Sequence, residues 1–417
     1  MTRTPRPRHH FVIALTAALP LLFAACSGQY PNSTFTDLTD FNRDSTGLWN
    51  LMMWLGIGVF VFVELLLVYV MIRYRRRPGG AEPEHVHGNT KLELTWTVLP
   101  AVVLVIIAVP TVKSIWRFQS GSPANALQID VIGHQWWWEF HYPEQNVVTA
   151  NEVYIPTGRP VNFTLRSNDV IHSFWIPQLG GKRDLMKNRT NHLWFTPDSV
   201  GTRAFNGSCN EFCGASHANM RFRAYTVSPA EFDQWVAGQQ APAAFQAAPA
   251  TPPATGGAAS ATTVAAQTPP PAPVTGYVFP ADQLPAHVIP DTPIPAGLTF
   301  DENLLASGDP QRGVQAFISC VGCHKVRGTM AQGIIGPDLT HVGSRHTIGA
   351  GLFPNDARHM ALWIKNARKM KPMGLTSMPT LGIGEVDPLL KTTVTAGQGG
   401  LTDQQIADIV AYLRSLK

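Results

Sequence analysis

Apolar residues gather in three long runs near the start of the chain and are never so dense again. The first covers residues 11–25, behind Arg3, Arg6 and Arg8. A basic start, a short apolar core and small residues before the break make a signal-peptide pattern over residues 1–25. Its ending, Phe23-Ala24-Ala25-Cys26, has the form of a lipoprotein signal and predicts lipid on Cys26. A simple signal peptide or an uncleaved anchor is the other reading. The second run, 48–72, is interrupted by Asn50 and Glu64, and Arg73, Arg75, Arg76 and Arg77 follow it. The third begins at Leu94 and continues to about residue 115. The second and third runs are each long enough for a bilayer core of about 30 Å. The arginines put the connecting turn on the cytoplasmic side, with Trp96 and Trp116 as interface anchors. Residues 45–118 are thus predicted to be a transmembrane helical hairpin, which leaves the rest of the chain outside.

Beyond the hairpin the period changes. Residues 127–132 and 161–166 alternate apolar and polar side chains, as half-buried strands do. Asn206-Gly207 and Gly180-Gly181 read as turns. Residues 124–235 are predicted to form an antiparallel β-sandwich or barrel. Within it, Trp136, Trp137 and Trp138 are consecutive, so a strand cannot bury all three on one face. Residues 236–300 are rich in Pro, Ala, Thr and Gln and read as a tether. Residues 303–417 return to helical spacing. Asp309-Pro310 starts one helix. Thr402 with Gln405 starts the last, as a capping box, with Ile406, Ile409, Val410 and Leu413 along one face.

Charge excludes little except nucleic acid: 417 residues carry a formal net charge of +4, with no Lys/Arg block suited to a phosphate backbone. Cysteine usage changes the picture more. The chain has five: Cys26, Cys209, Cys213, Cys320 and Cys323. Cys209-Asn-Glu-Phe-Cys213-Gly-Ala-Ser-His217-Ala-Asn-Met220 puts two thiols, an imidazole and a thioether on one loop. Soft sulfur with imidazole selects copper, zinc or an iron–sulfur cluster, and the thioether favours copper. Two close thiolates can also bridge two ions. A disulfide between them would leave the His and Met without a purpose. A second imidazole would complete two copper ions. His172, in Asp169-Val-Ile-His172-Ser-Phe-Trp, is the leading candidate, with His134, His141 and His192 competing. Cys320-Val-Gly-Cys323-His324 is the covalent haem c attachment motif, with His324 on iron. Met360, Met370, Met373 and Met378 are available for the opposite axial position, and Met378, before Pro379, is the choice.

Two carboxylates stand out in the hairpin. Glu64 lies mid-span, where an ionisable group is costly, and functional and structural readings weigh equally there. Glu93 begins the second span, where physics alone favours a snorkelling interfacial charge.

Taken together and in order, these residues resemble subunit II of the haem–copper cytochrome c oxidases, in the caa type that carries a C-terminal class I cytochrome c. The resemblance rests on Glu93-Leu-Thr-Trp-Thr-Val-Leu-Pro, Gly133-His-Gln-Trp136, Asp169-Val-Ile-His-Ser-Phe-Trp-Ile-Pro, the 209–220 loop, Cys320–His324, Gly336-Pro-Asp-Leu and Met378-Pro. It implies a cupredoxin-like barrel between a two-helix hairpin and an all-α cytochrome domain. Cys209 and Cys213 would bridge two copper ions, with His172 and His217 capping them and Met220 and the Glu211 carbonyl as weak ligands. The Glu211 side chain would point to a magnesium ion shared with subunit I. Trp136 would receive electrons, and Glu93 would stand at a proton-channel mouth, against the physical reading above.

The implied function is an electron relay from covalent haem c through a binuclear copper A centre to subunit I, in an enzyme that reduces oxygen to water and pumps protons. Subunits I and III, membrane lipid and an upstream cytochrome c or cytochrome bc complex would be partners, at a bacterial inner membrane with both metal domains outside. A copper A-containing nitric oxide reductase is the alternative. Asn210 replaces a usual Ser, Asp184-Leu-Met-Lys-Asn-Arg lacks the usual Pro-Gly-Arg, and residues 382–400 are an insertion without a reading.

Overall fold

The computed structural model describes residues 30–76, 78–80, 82, 85, 87–198, 203–243 and 276–417. Cys26 with its signal, Arg77, and the middle of the tether, 244–275, lie outside the described residues. From Thr34 onward the chain forms one compact unit.

The two long helices are α1 (Asp40–Arg73) and α2 (Thr90–Gln119). Both overrun the apolar stretches that predict them, because polar caps start them early. The Thr39 hydroxyl accepts the Asn42 N–H at 3.1 Å, and the Asn89 side chain accepts that of Leu92 at 3.3 Å. At 1.5 Å per residue they measure about 50 and 45 Å, more than a bilayer core requires. Their apolar side chains face outward, and no residue of α2 is buried. Arg117 ties the pair together through Asp40 and Asp44 at 3.1 and 3.0 Å. Asp40 also accepts the Thr196 N–H at 2.7 Å, which fixes α1 to the domain that follows.

Among the described residues that domain has ten strands: β1 (Leu127–His134), β2 (Trp137–Tyr142), β3 (Val147–Ala150), β4 (Glu152–Pro156), β5 (Val161–Ser167), β6 (His172–Trp175), β7 (Arg183–Leu185), β8 (Asn191–Phe195), β9 (Arg203–Cys209) and β10 (Arg221–Val227). They form two sheets, ordered β3-β2-β1-β5-β8 and β4-β10-β9-β6-β7. Most pairs are antiparallel, but β1 with β5 and β4 with β10 are parallel. β1 buries every second residue, as its alternation predicts. β5 buries all but Arg166, so both of its faces are covered, unlike those of β1. Between the sheets Trp138, Phe140, Phe174 and Phe222 pack ring against ring, the last two stacked at 4.9 Å.

Asn206-Gly207 is not a turn but part of β9. The glycine serves packing there: a Cβ would come within 2.1 Å of the Phe222 ring. Helix α3 (Pro229–Gln240) closes the domain with a Ser228/Glu231 capping box and runs past residue 235, where the composition ends the domain. The end of the predicted tether is packed as well. Phe279 and Val288 are buried in the β-domain core, because a few large apolar side chains among the prolines find a place there.

The C-terminal domain contains α4 (Asn303–Ala306), α5 (Pro310–Ala316), α6 (Ala357–Met370) and α7 (Asp403–Ser415), with a short ribbon of β11 (Thr347–Ile348) and β12 (Phe353–Pro354). Asp309 caps α5 and the Thr402/Gln405 box caps α7. Helices α5 and α7 meet closely at glycine. A Cβ on Gly313 would come within 2.1 Å of the Asp408 carbonyl oxygen. Overpacking of this kind costs about 1–3 kcal/mol. Gly313→Ala should therefore lower the thermal midpoint of this domain while leaving the β-domain alone. An unchanged midpoint would mean that the helices part freely.

Candidate metal and haem sites

The loop between β9 and β10 turns back beneath β6, bringing residues far apart in sequence onto two thiols. The Cys209 and Cys213 Sγ atoms are 3.8 Å apart, far from the roughly 2.05 Å of a disulfide. Cys209 Sγ faces His172 Nδ1 at 3.8 Å and the Glu211 carbonyl at 3.3 Å. Cys213 Sγ faces His217 Nδ1 at 3.6 Å and Met220 Sδ at 3.9 Å. Each thiol thus has one imidazole and one weaker donor of its own. Metal–sulfur bonds of about 2.3 Å can span a sulfur pair at this separation, so the donor set fits two ions sharing two thiolates.

Electrostatics favours the same use. The hydrogen bond with Cys213 holds the Cys209 thiol well below the usual thiol range, against the opposing effect of burial and with further help from His172. The Cys209 thiolate, and then burial, push Cys213 upward. The pair therefore gives up its first proton more readily than its second, and metal binding must displace whatever protons remain.

The imidazoles are also oriented. His172 is fully buried, and its Nε2 bonds to Asp169 Oδ1 at 2.8 Å, which leaves Nδ1 as the donor towards Cys209. Gly133 makes room for this ring: a Cβ would stand 2.7 Å from His172 Cδ2. Asp169 in turn accepts the Gln135 N–H at 2.7 Å. Asp169 and Gln135 are partners of the thiol site that the sequence reading did not single out. The Asp169/His172 spacing of three was the available signal. A carboxylate behind a ligating His is worth about 10–100-fold in metal affinity, so Asp169→Asn should weaken copper retention by that factor in a chelator competition. Retention equal to the parent protein would remove Asp169 from this role.

The competing histidines lie elsewhere. His134 and His141 both bond Glu139, at 2.8 and 2.7 Å, and His192 pairs with Thr164 on β5. Trp137 stacks on His134 with 4.1 Å between centroids, and Trp138 is in the core. Trp136, 8% exposed, donates its indole N–H to the Cys213 carbonyl at 2.9 Å. Glu211 and Phe212 are exposed beside the thiols.

In the C-terminal domain, His324 Nδ1 bonds the Pro337 carbonyl at 2.9 Å, so Nε2 is the nitrogen available to iron. Burial lowers the basicity of this ring, which keeps it a neutral donor. A Cβ on Gly336 would sit 2.7 Å from the imidazole. Ile318, Met330, Ile334, Ile335 and Leu375 are exposed apolar side chains on the segments around the attachment turn and before Met378, a surface suited to an apolar macrocycle. Met378 packs with Cys320 and Val321 against the helix core; Met360 is inside that core, Met370 is in another cluster and Met373 packs on the β-domain. The residues fit a covalent haem.

The C-terminal domain is seated on the β-domain beside Trp136. The Lys371 ammonium donates to the Trp136 carbonyl at 2.6 Å, and burial lowers its pKa to about 7. The Ser216 hydroxyl bonds the Pro372 carbonyl, and Gly374 lies against the Trp136 ring. Arg221 N and Arg223 Nη2 bond the carbonyls of Ala350 and Gly351 at 3.2 and 2.9 Å. Residues 349–351 all have positive φ, which turns these carbonyls outward. Glu152 accepts the N–H groups of His346 and Thr347 at 2.8 and 2.9 Å. Lys371 carries no local signal in the sequence, because its partner is 235 residues away.

Glu93 is exposed and accepts the Asn89 N–H at 3.3 Å, a role in capping α2. Glu64 is exposed on α1.

Three family models match in order: cytochrome c oxidase subunit II, transmembrane domain, at 39–114; its periplasmic domain at 145–227; and cytochrome c at 310–417. The chain is 33% identical over 348 residues to the cytochrome c oxidase subunit 2 of Alkalihalophilus pseudofirmus, covering 82% of this chain and 78% of that one. It is 28% identical over 359 residues to that of Bacillus sp. strain PS3, covering 82% and 80%. A quinol oxidase subunit 2 of Bacillus subtilis is 36% identical over 162 residues, 38% of this chain and 50% of that one. Among solved structures, the periplasmic domain of subunit II of cytochrome oxidase from Bradyrhizobium japonicum is similar, with 30% identity, a TM-score of 0.27, and coverage of 28% of this chain and 96% of that one.

Proposed function

The chain belongs to the cytochrome c oxidase subunit 2 family, with a C-terminal cytochrome c domain, and from that premise we propose that it passes electrons from its own haem domain, through its copper domain, to the catalytic subunit of a proton-pumping, oxygen-reducing enzyme. The family is one of oxidoreductase subunits, and the two long apolar helices fit a membrane anchor. When bound, covalent haem c and two copper ions supply reversible one-electron chemistry at the two sites. The residues that would hold copper are His172, Cys209, Cys213, His217, Met220 and the Glu211 carbonyl; those for haem are Cys320, Cys323, His324 and Met378.

One observation carries the reading. Trp136 is bonded to the Cys213 carbonyl by its indole and to Lys371 by its own carbonyl, so one residue touches both the thiol loop and the loop that leads to Met378. The seated domain also covers Trp136, which supports transfer within the chain over docking of a separate donor there. Hydrogen-bonded partners such as the half-buried Asp169 hold the copper ligands in place, so little need move when the charge changes. Exposed Phe212, with Glu211, supports a surface that meets subunit I, where the Glu211 side chain would face magnesium. Glu93 stands at the end of α2 that we assign to the cytoplasm, as a proton-channel mouth requires. We further assign lipid to Cys26, subunits I and III as partners, a cytochrome c or cytochrome bc complex as donor, and a bacterial inner membrane with both metal domains outside.

The test is metal analysis with electron paramagnetic resonance on the purified complex, alongside gas consumption. Two coppers sharing one unpaired electron, with oxygen uptake, are expected. A mononuclear signal or zinc would sink the bridged site. Consumption of nitric oxide without oxygen uptake would make the complex a nitric oxide reductase instead.

A further inference from the structure

Residues 382–400 close on themselves between the Met378 loop and α7. Ile383 N bonds the Leu401 carbonyl at 3.0 Å, and Leu401 N bonds that of Leu381 at 2.7 Å. Val394 N reaches the Glu385 carbonyl at 2.9 Å, and Asp387 N reaches that of Thr392 at 2.9 Å. Inside this fold sits Asp387. Its Oδ1 accepts the N–H groups of Leu389 and Leu390, both at 2.9 Å, and its Oδ2 accepts Arg368 Nη1 at 2.7 Å. Both side chains of the pair are 4% exposed. Burial opposes ionisation of Asp387, yet the two N–H groups and the guanidinium hold it at about 2.

Arg368 points on to a second target. Its Nη2 donates to the carbonyls of Leu375 and Ser377 at 3.1 and 3.4 Å, three residues and one residue before Met378. The far side of Met378 is held through Asn366, which departs from helical geometry within α6. The Asn366 side chain accepts the Thr380 hydroxyl at 3.1 Å and donates to Glu385 Oε2 at 3.0 Å and the Val386 carbonyl at 3.3 Å. The loop is therefore gripped before and after Met378, and both grips end on the insertion.

We propose that residues 382–400 are a clamp that positions Met378, with Arg368, Asp387 and Asn366 as its positioning residues. A methionine is a weak ligand on a loop with no regular hydrogen-bond ladder. Partners that fix the backbone on either side keep its sulfur directed at one place. The proposal rests on the reading of Met378 as the axial ligand, and the experiment separates the two.

The experiment uses the full-length protein with haem and copper in place and titrates the ferric haem with imidazole, which competes with an axial methionine. Alongside, it follows the weak red charge-transfer band of methionine-ligated ferric haem. Asp387→Asn should bind imidazole about tenfold more tightly than the parent, the low end of what losing a partner behind a ligand costs, and should lose the band at lower pH. Because a lone buried charge can unfold a domain, the paired variant Arg368→Met with Asp387→Leu is made as well. It removes both charges and also the bonds to Leu375 and Ser377, and should show the same tightening with haem still attached. Parent-like imidazole binding in this folded double variant overturns the clamp. Met378→Ala should lose the band and bind imidazole more tightly than any clamp variant. If it keeps both parent properties, the ligand reading and the clamp fall together. If it changes and the clamp variants do not, only the clamp falls.

Discussion

Cys209→Ser will abolish the shared-electron copper signal and cut oxygen uptake by the assembled enzyme at least about 100-fold, since even a partner behind a ligand can be worth that much. Cys209 stands at the centre of one half of the donor set. It faces Cys213, His172 and the Glu211 carbonyl, and it also accepts help from the Ser173 backbone in staying ionised. Serine keeps the shape but supplies a hard oxygen that is protonated at neutral pH, in a site whose other donors suit a soft metal. Haem attachment depends on Cys320 and Cys323 in another domain and should be unaffected. Haem absorbance per chain therefore serves as the folding control. If the variant still binds two coppers with the parent signal, sulfur bridging by Cys209 is wrong.

Trp136→Ala will leave copper in place and slow electron transfer from haem to copper by about 100-fold. Trp136 provides no metal ligand; it lies between the thiol loop and the haem domain. Truncating a buried aromatic at the centre of an interface costs about 2–4 kcal/mol, which converts to roughly 30- to 700-fold in the docking equilibrium. The tether keeps the two domains together but not in register, so the tethered concentration alone does not restore the close approach. Rapid photoreduction of the haem, followed at both metal absorbances, reads the rate directly. A parent-like rate with intact copper would show that transfer takes a path that avoids Trp136.

How much of this the sequence disclosed differs from place to place for physical reasons. Local spacing determines a haem attachment turn, a capping box and a bilayer-length apolar run, so His324, Thr402 and the two spans were legible. The loop 209–220 gave a donor set but not its arrangement. Whether one ion or two, and which imidazole completes the set, depends on β6 lying against β9, a pairing between residues 174 and 209 that no local pattern encodes. The Asn206-Gly207 misreading has the same origin, since the glycine answers to Phe222 on the neighbouring strand. The insertion was opaque because its partners, Arg368 and Asn366, belong to a helix before it. The packed end of the tether was hidden by averaging: composition describes a stretch of chain, whereas Phe279 and Val288 act singly.

The bonds from Lys371, Ser216, Arg221 and Arg223 that join the two domains all end on main-chain oxygens. A carbonyl is contributed equally by every amino acid. The side chains at Ala350 and Pro372 can therefore change without erasing the acceptor, provided that the loop keeps its course. Two descendants that keep Trp136 and the donors Lys371, Ser216 and Arg223 could differ at Ala350 and Pro372 and still dock alike. Conversely, a one-residue deletion near 349–351 would shift the acceptors out of register at once. Comparison of loop lengths between relatives should therefore trace the acceptor side of this junction, and comparison of residue identities its donor side.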